Sequence, residues 1–321
     1  MNTHFYDNFL EALTERYPRK TDLVNALMDI LTLEKESIYR RLRKDVLFTS
    51  EEMMKIASAW HISLDNVISV NPHKIRPFSF NMIEFFNPQE ADYEMFEDYN
   101  RILELVSRDP DGRLIVVTNT LPGALYYRYD NLTRFYMMKW LYKYNMPENH
   151  FVLNDIHIPE RMRRLEKECI EHTRNVSAIH AIHDRRFIEH LIGDIRYFRS
   201  IGMVTEDVVA LLKDELLDMI DYMKEVAIKG YYPDTGNKLF FYLSHTNLET
   251  EYFLFESKYI TRVLVKILER NTVTSSDKIV FQKFLHMVQS TMRSSVLLSG
   301  SNSLQVMEFY AKHRDLILAL K

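Results

Sequence analysis

Apolar residues recur at helical spacing along the first 70 residues of the chain, in several short stretches. In the first stretch Phe5, Phe9 and Leu13 repeat every fourth position, and Pro18 closes it. The second stretch follows Thr21, a residue type that caps helices, and carries its own apolar stripe. Because a surface helix buries such a stripe, the pattern predicts short helices packed around a small core.

A third helical stretch, residues 34–44, follows the second after a joint of three residues. Ile38 and Leu42 form its inner face. A further stretch opens with a Thr-Ser capping signal and acidic residues in its first turn, where the helix dipole favours them. Two helices joined by three residues, with further short helices packed behind, form the helix-turn-helix layout. We therefore expect residues 34–44 to enter the major groove of DNA.

The outer surface of this third helix is basic. An arginine side chain makes paired hydrogen bonds to guanine or to phosphates, and a tyrosine side chain stacks on bases or donates a hydrogen bond to phosphate. The candidate base or phosphate contacts on the outer face are therefore Lys35, Tyr39, Arg40 and Arg43, and the candidate phosphate contacts on its flank are Arg41 and Lys44. The alternative is a solvated helix face whose charges pair internally with Asp29, Asp45 and Glu51.

Residues 36–68, ESIYRRLRKDVLFTSEEMMKIASAWHISLDNVI, resemble the Cro/repressor-type helix-turn-helix domain of bacterial transcriptional regulators. They are particularly similar to a group in which Y-R-R-L-R-G-E or Y-R-R-I-R-G-E precedes a phenylalanine, a capped helix and an I-S-L-D ending. The residues that carry the resemblance are Tyr39, Arg40, Arg41, Leu42, Arg43, Phe48, Thr49, Glu51, Glu52, Ile62, Ser63, Leu64 and Asp65. The resemblance implies a DNA-binding regulator, and the paired aromatics Phe309 and Tyr310 near the chain end resemble the same group.

The chain departs from this group at the two ends of the helix. Lys44 stands where the group has glycine, and Glu34 and Glu36 stand at the N-terminal end, where acidic groups repel phosphates. The segment 1–76 holds 11 Lys and Arg against 11 Asp and Glu, so it is neutral. DNA binding would therefore depend on a local basic patch, and a protein-interaction adaptor with a degenerate helix-turn-helix is the alternative function.

Three prolines in residues 71–92 exclude a long helix there. The segment also contains an apolar run, which predicts a linker that docks on a second domain. A strand is one form that this run could take. Beyond it the pattern is mostly helical. The expected helices are 92–107, 131–144, 159–173, 183–199, 205–229, 258–270, 276–293 and 303–319. Residues 236–257 predict a β-hairpin, and residues 114–118 fit either a strand or the start of a helix.

The predicted fold is therefore mainly α, with three parts. Residues 1–70 form a helix-turn-helix domain, residues 71–92 a linker, and residues 93–321 a larger helical domain with a small β-hairpin. A chain of 321 residues fits about two domains at roughly 150 residues each. The larger domain would dimerise the protein and offer a place for an unknown effector.

Composition excludes several other classes of protein. Cys169 is the one cysteine, so no disulfide framework forms, and the absence of a signal peptide or a long apolar run predicts a cytoplasmic protein with no membrane partner. Seven glycines and no Gly-rich phosphate loop remove the usual support for nucleotide-dependent chemistry. The net charge of −4 argues against coating of nucleic acid along its length. We expect no cofactor and no enzyme activity.

Two other clusters are candidates for chemistry. His180, His183 and Asp184, with Glu189 and His190 nearby, would share one face if the segment were helical, and such a face can hold a divalent metal. The spacing is not H-E-x-x-H, so a polar helix face is favoured over a metal-dependent enzyme. An aromatic stripe over residues 131–144 favours a core or dimer interface over a ligand pocket, and Cys169 favours a structural role.

Overall fold

The structure is a computed structural model that describes residues 3–17, 19–60, 62, 64, 67, 78–81, 90–144, 151–267, 271–300 and 304–320. The chain divides into two compact units, Met1–Ser79 and Phe80–Lys321. Most of the linker expected over residues 71–92 lies outside the described residues. None of the helices in the described ranges combines the length and the apolar composition that a membrane span requires.

The first unit is built from short amphipathic helices. Those whose bounds the structure describes are α1 (Thr3–Arg16), α2 (Lys20–Leu31), α3 (Lys35–Leu42) and α4 (Ser50–Trp60). Their apolar stripes meet in one core in which Phe9, Leu13, Leu27, Ile38 and Ile56 are fully buried. Each such side chain contributes about 1.5–3 kcal/mol by leaving water, so the core fixes how α3 is held.

One residue with a left-handed backbone conformation precedes α3 and another follows it. Thr32 has φ 54° and ends α2, where its N–H donates to the carbonyl of Met28 at 2.9 Å. Lys44 has φ 68° just beyond α3. The left-handed turn stops the helix at Leu42, two residues before the expected end of the 34–44 segment.

The second unit contains a mixed eight-stranded sheet in the order β1-β7-β6-β5-β2-β3-β4-β8. The strands are β1 (Ser79–Asn81), β2 (Arg113–Thr118), β3 (Ala178–Asp184), β4 (Lys238–Ser244), β5 (Glu251–Glu256), β6 (Thr261–Ile267), β7 (Asn271–Ser275) and β8 (Ser295–Leu297). Strands β2, β3 and β4 run parallel, whereas the pairs β2–β5, β5–β6, β6–β7 and β4–β8 are antiparallel.

Helices cover both faces of this sheet unequally. The helices are α5 (Glu90–Ser107), α6 (Gly123–Tyr126), α7 (Asp130–Tyr144), α8 (Glu160–Asn175), α9 (Phe187–Ser200), α10 (Glu206–Lys229), α11 (Lys278–Arg293) and α12 (Leu304–Leu318). A large core unites most of them with Leu114, Val116, Ile179 and Phe241 on one face. On the other face α11 packs against side chains such as Ile115 and Ile182.

The expectation of a helical second domain with a small hairpin is wrong, because this unit is organised around the sheet. Residues 258–270, expected as a helix, contain strand β6, whose alternate β-branched residues suit a pleated strand. The expected hairpin over 236–257 is absent, since β4 and β5 are separated in the sheet by β2 and β3. Residues 114–118 belong to strand β2, which is buried along nearly its whole length.

Candidate nucleic-acid interface

The outer side of α3 presents the residues expected to contact DNA. Ile38, fully buried, anchors the helix on α2, and Lys35 and Arg40 are exposed on the outside. Within the described ranges, neither Lys35 nor Arg40 forms an ion pair with a carboxylate. Tyr39 is half-buried between them. Lys35 and Arg40 are therefore the exposed cations of α3 that have no carboxylate partner among the described residues.

Arg41 is turned toward the body of the unit. Its guanidinium makes two hydrogen bonds to the Glu52 carboxylate, at 2.9 and 2.7 Å, and a third to the carbonyl of Ser37 at 3.2 Å. The Arg41 and Glu52 side chains are 14% and 16% exposed. Arg41 was expected on the flank of the helix as a phosphate contact, but in the structure its donors are directed at α4.

Glu52 joins this arginine to the start of α4. The Thr49 N–H donates to Glu52 at 2.9 Å, and the Glu52 N–H donates to Thr49 Oγ1 at 3.2 Å, a reciprocal capping box. Although burial raises the pKa of Glu52, hydrogen bonds from Arg41 and Thr49 lower it overall. The carboxylate therefore stays charged and holds the C-terminal half of α3 in place.

Tyr6 of α1 braces the same region. Its hydroxyl donates to the carbonyl of Arg41 at 3.1 Å and accepts the Phe48 N–H at 3.0 Å. Burial raises the pKa of Tyr6, so the hydroxyl keeps its proton and its donor role. The end of α3 and the segment before α4 are thereby both tied to α1.

Arg43 and Lys44 are exposed but engaged by carboxylates. Arg43 bonds to Glu36 at 2.8 Å and to Asp45 at 3.0 Å, and Lys44 pairs with Asp7. These pairs are open to solvent, which screens them and leaves them weak. A phosphate can therefore compete for either cation at small cost.

The structure adds one basic residue that the sequence reasoning missed. Lys20, at the start of α2, places its Nζ 5.6 Å from the centre of the Tyr39 ring, and Arg19 precedes it. Both Arg19 and Lys20 are exposed. The sequence could have indicated Lys20 as a phosphate contact, because it lies at a predicted helix start and helix N-termini favour phosphates.

Of the clusters in the second unit, the histidine segment has a different geometry from the one expected. His180, His183 and Asp184 lie on strand β3, so His180 and His183 point to opposite faces of the sheet. Within the described ranges no group of three or more His, Cys, Asp or Glu side chains is placed to hold a metal ion. The shared helical face was therefore a wrong expectation.

The other two clusters contribute to the core. Cys169 is buried, and burial raises the pKa of its thiol to about 12, which keeps it protonated and unreactive. The aromatic stripe of α7 includes Phe135 and Trp140, both buried in the large core.

Comparison of the chain with protein-family models, with curated proteins and with solved structures finds no match.

Proposed function

We propose that the chain is a sequence-specific DNA-binding transcriptional regulator whose α3 lies in the major groove. The observation that carries the proposal is the placement of α3. A short left-handed turn joins it to α2, Ile38 anchors its inner side, and Lys35 and Arg40 extend from its outer side without a carboxylate partner in the described ranges. This is the geometry with which a recognition helix reaches bases and phosphates.

The side chains then have separate roles. Lys35, Tyr39 and Arg40 contact bases or phosphates directly. Arg43 and Lys44 exchange their exposed carboxylate partners for phosphates when DNA binds. Arg41 keeps its bonds to Glu52 and positions the helix.

The second unit would pair two such modules. Two copies of α3 across a two-fold axis read half-sites about 34 Å apart, one turn of DNA. The single cysteine fits action in the reducing cytoplasm.

Selection of bound sequences from a random duplex library tests this function. The selected site is then titrated at several salt concentrations with the wild type and with a Lys35→Ala, Arg40→Ala double variant. We expect an enriched palindrome and a salt slope that falls by about 0.9 for each phosphate that the variant no longer neutralises. The matched control, Lys312→Ala, removes an exposed charge from the second unit and should leave the slope unchanged.

A protein-interaction adaptor is the second candidate function. Carboxylates within the first unit already engage Arg41, Arg43 and Lys44, which favours this alternative. Absence of any enriched sequence, together with equal weak binding by the wild type and the double variant, would contradict the regulator proposal and support the adaptor.

A further inference from the structure

Strands β3 and β4 carry a stack of aromatic rings on the sheet face where α11 packs. The rings of His180 and Phe240 are 4.6 Å apart between centroids and 12° from parallel. Tyr242, two residues further along β4, lies 6.3 Å from His180 at an angle of 18°. Paired residues on neighbouring strands share one face, so the three rings form a near-parallel stack.

Helix α11 covers this stack less completely than it covers the rest of the same sheet face. His180, Phe240 and Tyr242 are each half-buried, whereas Ile115 and Ile182 on the same face are buried beneath α11. Strand β8 pairs with β4 only from Tyr242 to Ser244. Backbone hydrogen bonds from Leu239 to Gly230 and from Leu298 to Phe241 continue along this edge of β4, so the stack is half-exposed on the face of the sheet.

A fourth ring and a cation border the stack. Tyr231, 43% exposed, forms an isolated antiparallel bridge with Lys238, so both side chains lie on the same side. Lys238 precedes Phe240 by two residues and is exposed on the face that carries the rings. Within the described ranges no carboxylate forms an ion pair with Lys238.

His180 has an unfilled hydrogen-bonding position. Its Nδ1 has no partner among the described residues. Burial, and then the nearby Arg113, lowers the pKa of His180 to about 4, so the ring is neutral at pH 7 and able to stack. The stack therefore holds an uncharged imidazole beside Phe240, and the buried Nδ1 takes no part in recognising a ligand.

We propose that Tyr231, Lys238, Phe240 and His180 form a binding site for a small planar aromatic anion. The ring of the ligand stacks beside Phe240, and its negative group pairs with Lys238. An aliphatic ligand gains no stacking there, and a cation is repelled. A second copy of the chain fits poorly, because a two-fold contact centred on this surface would bring the two Lys238 side chains together. A role as an effector site rests on the proposed regulator function, whereas binding of the anion does not.

The first test uses the full chain without DNA, so its result is independent of the proposed DNA binding. The probe is naphthalene-2-sulfonate, followed by saturation-transfer NMR and calorimetry. Two control compounds separate the contribution of the aromatic ring from that of the negative charge. The compound 2-naphthamide has the ring without the charge, and methanesulfonate has the charge without the ring. We expect the probe to bind roughly tenfold more tightly than either control, since stacking and charge contribute together.

Variants then locate the site. Phe240→Ala and Lys238→Gln should each weaken binding of the probe by about tenfold, while Tyr197→Ala and Lys312→Gln, which change exposed residues elsewhere in the unit, should not. Lys238 is exposed, so Lys238→Gln keeps the test valid even if Phe240→Ala unfolds the sheet. No binding of the probe, equal binding of 2-naphthamide, or full binding by Lys238→Gln would overturn the proposal.

Discussion

Lys44 adopts the left-handed conformation at a position where the resembled regulator group has glycine. A side chain there costs roughly 1–2 kcal/mol that glycine avoids. We compare Lys44→Gly with Lys44→Ala, because both variants remove the ion pair with Asp7 equally. The glycine variant should be the more stable by about 1 kcal/mol, although alanine is usually preferred over glycine.

Hydrogen exchange followed by mass spectrometry on peptides from residues 3–60 of the full chain measures this difference within the first unit. An alanine variant as stable as the glycine variant would mean that residue 44 does not hold a left-handed turn in solution.

Arg40 and Arg41 are adjacent in sequence, and the structure gives them opposite roles. Arg41→Gln removes two charge-assisted bonds to Glu52, so it should lower the stability of the first unit by about 1.5–3 kcal/mol. Arg40→Gln removes an exposed side chain and should leave stability unchanged within about 0.5 kcal/mol.

If the proposed DNA binding holds, we expect DNA titration to give the reverse order for the same two variants. At a temperature where both are fully folded, Arg40→Gln should lower the salt slope by about 0.9, and Arg41→Gln should weaken binding with the slope unchanged. A fall in slope for Arg41→Gln would show that Arg41 leaves Glu52 and contacts a phosphate, as its place on the helix flank first predicted.

At the scale of elements, helices that present one apolar stripe were predictable from the sequence. The segments expected at 159–173, 205–229 and 276–293 are present as Glu160–Asn175, Glu206–Lys229 and Lys278–Arg293. The central strands were not predictable in this way, because β2 along nearly its whole length and β3 over its last four residues are buried on both faces and lack alternation. Their pairing also joins segments far apart in the chain.

In the candidate DNA-binding helix α3, burial was predictable from the sequence, but a contact with another helix was not. Its periodicity places Ile38 inside and Arg40 outside, as the structure has them. The inward turn of Arg41 depends on Glu52, which lies on another helix, and helical spacing within α3 carries no signal for it.

At the scale of the molecule, folding of the second unit is coupled to protonation through β3. His183 is 1% exposed, and burial lowers its pKa to about 3. Unfolding returns the ring to water, where its pKa is about 6.5. Because the folded pKa is the lower one, the unfolded chain binds the proton preferentially. The stabilising contribution is therefore complete above about pH 6.5 and is lost as the pH falls.

We expect His183 alone to lower the free energy of unfolding by about 1.6 kcal/mol between pH 6.5 and pH 5. His183→Gln, which carries no titrating group, should reduce the loss by that amount, and His190→Gln, at an exposed histidine, should not. Urea unfolding at both pH values, followed by the fluorescence of Trp140 in a Trp60→Phe background, isolates the second unit, since Trp60 lies in the first. An unchanged pH dependence in His183→Gln would mean that the ring is already protonated, or exposed, in the folded protein.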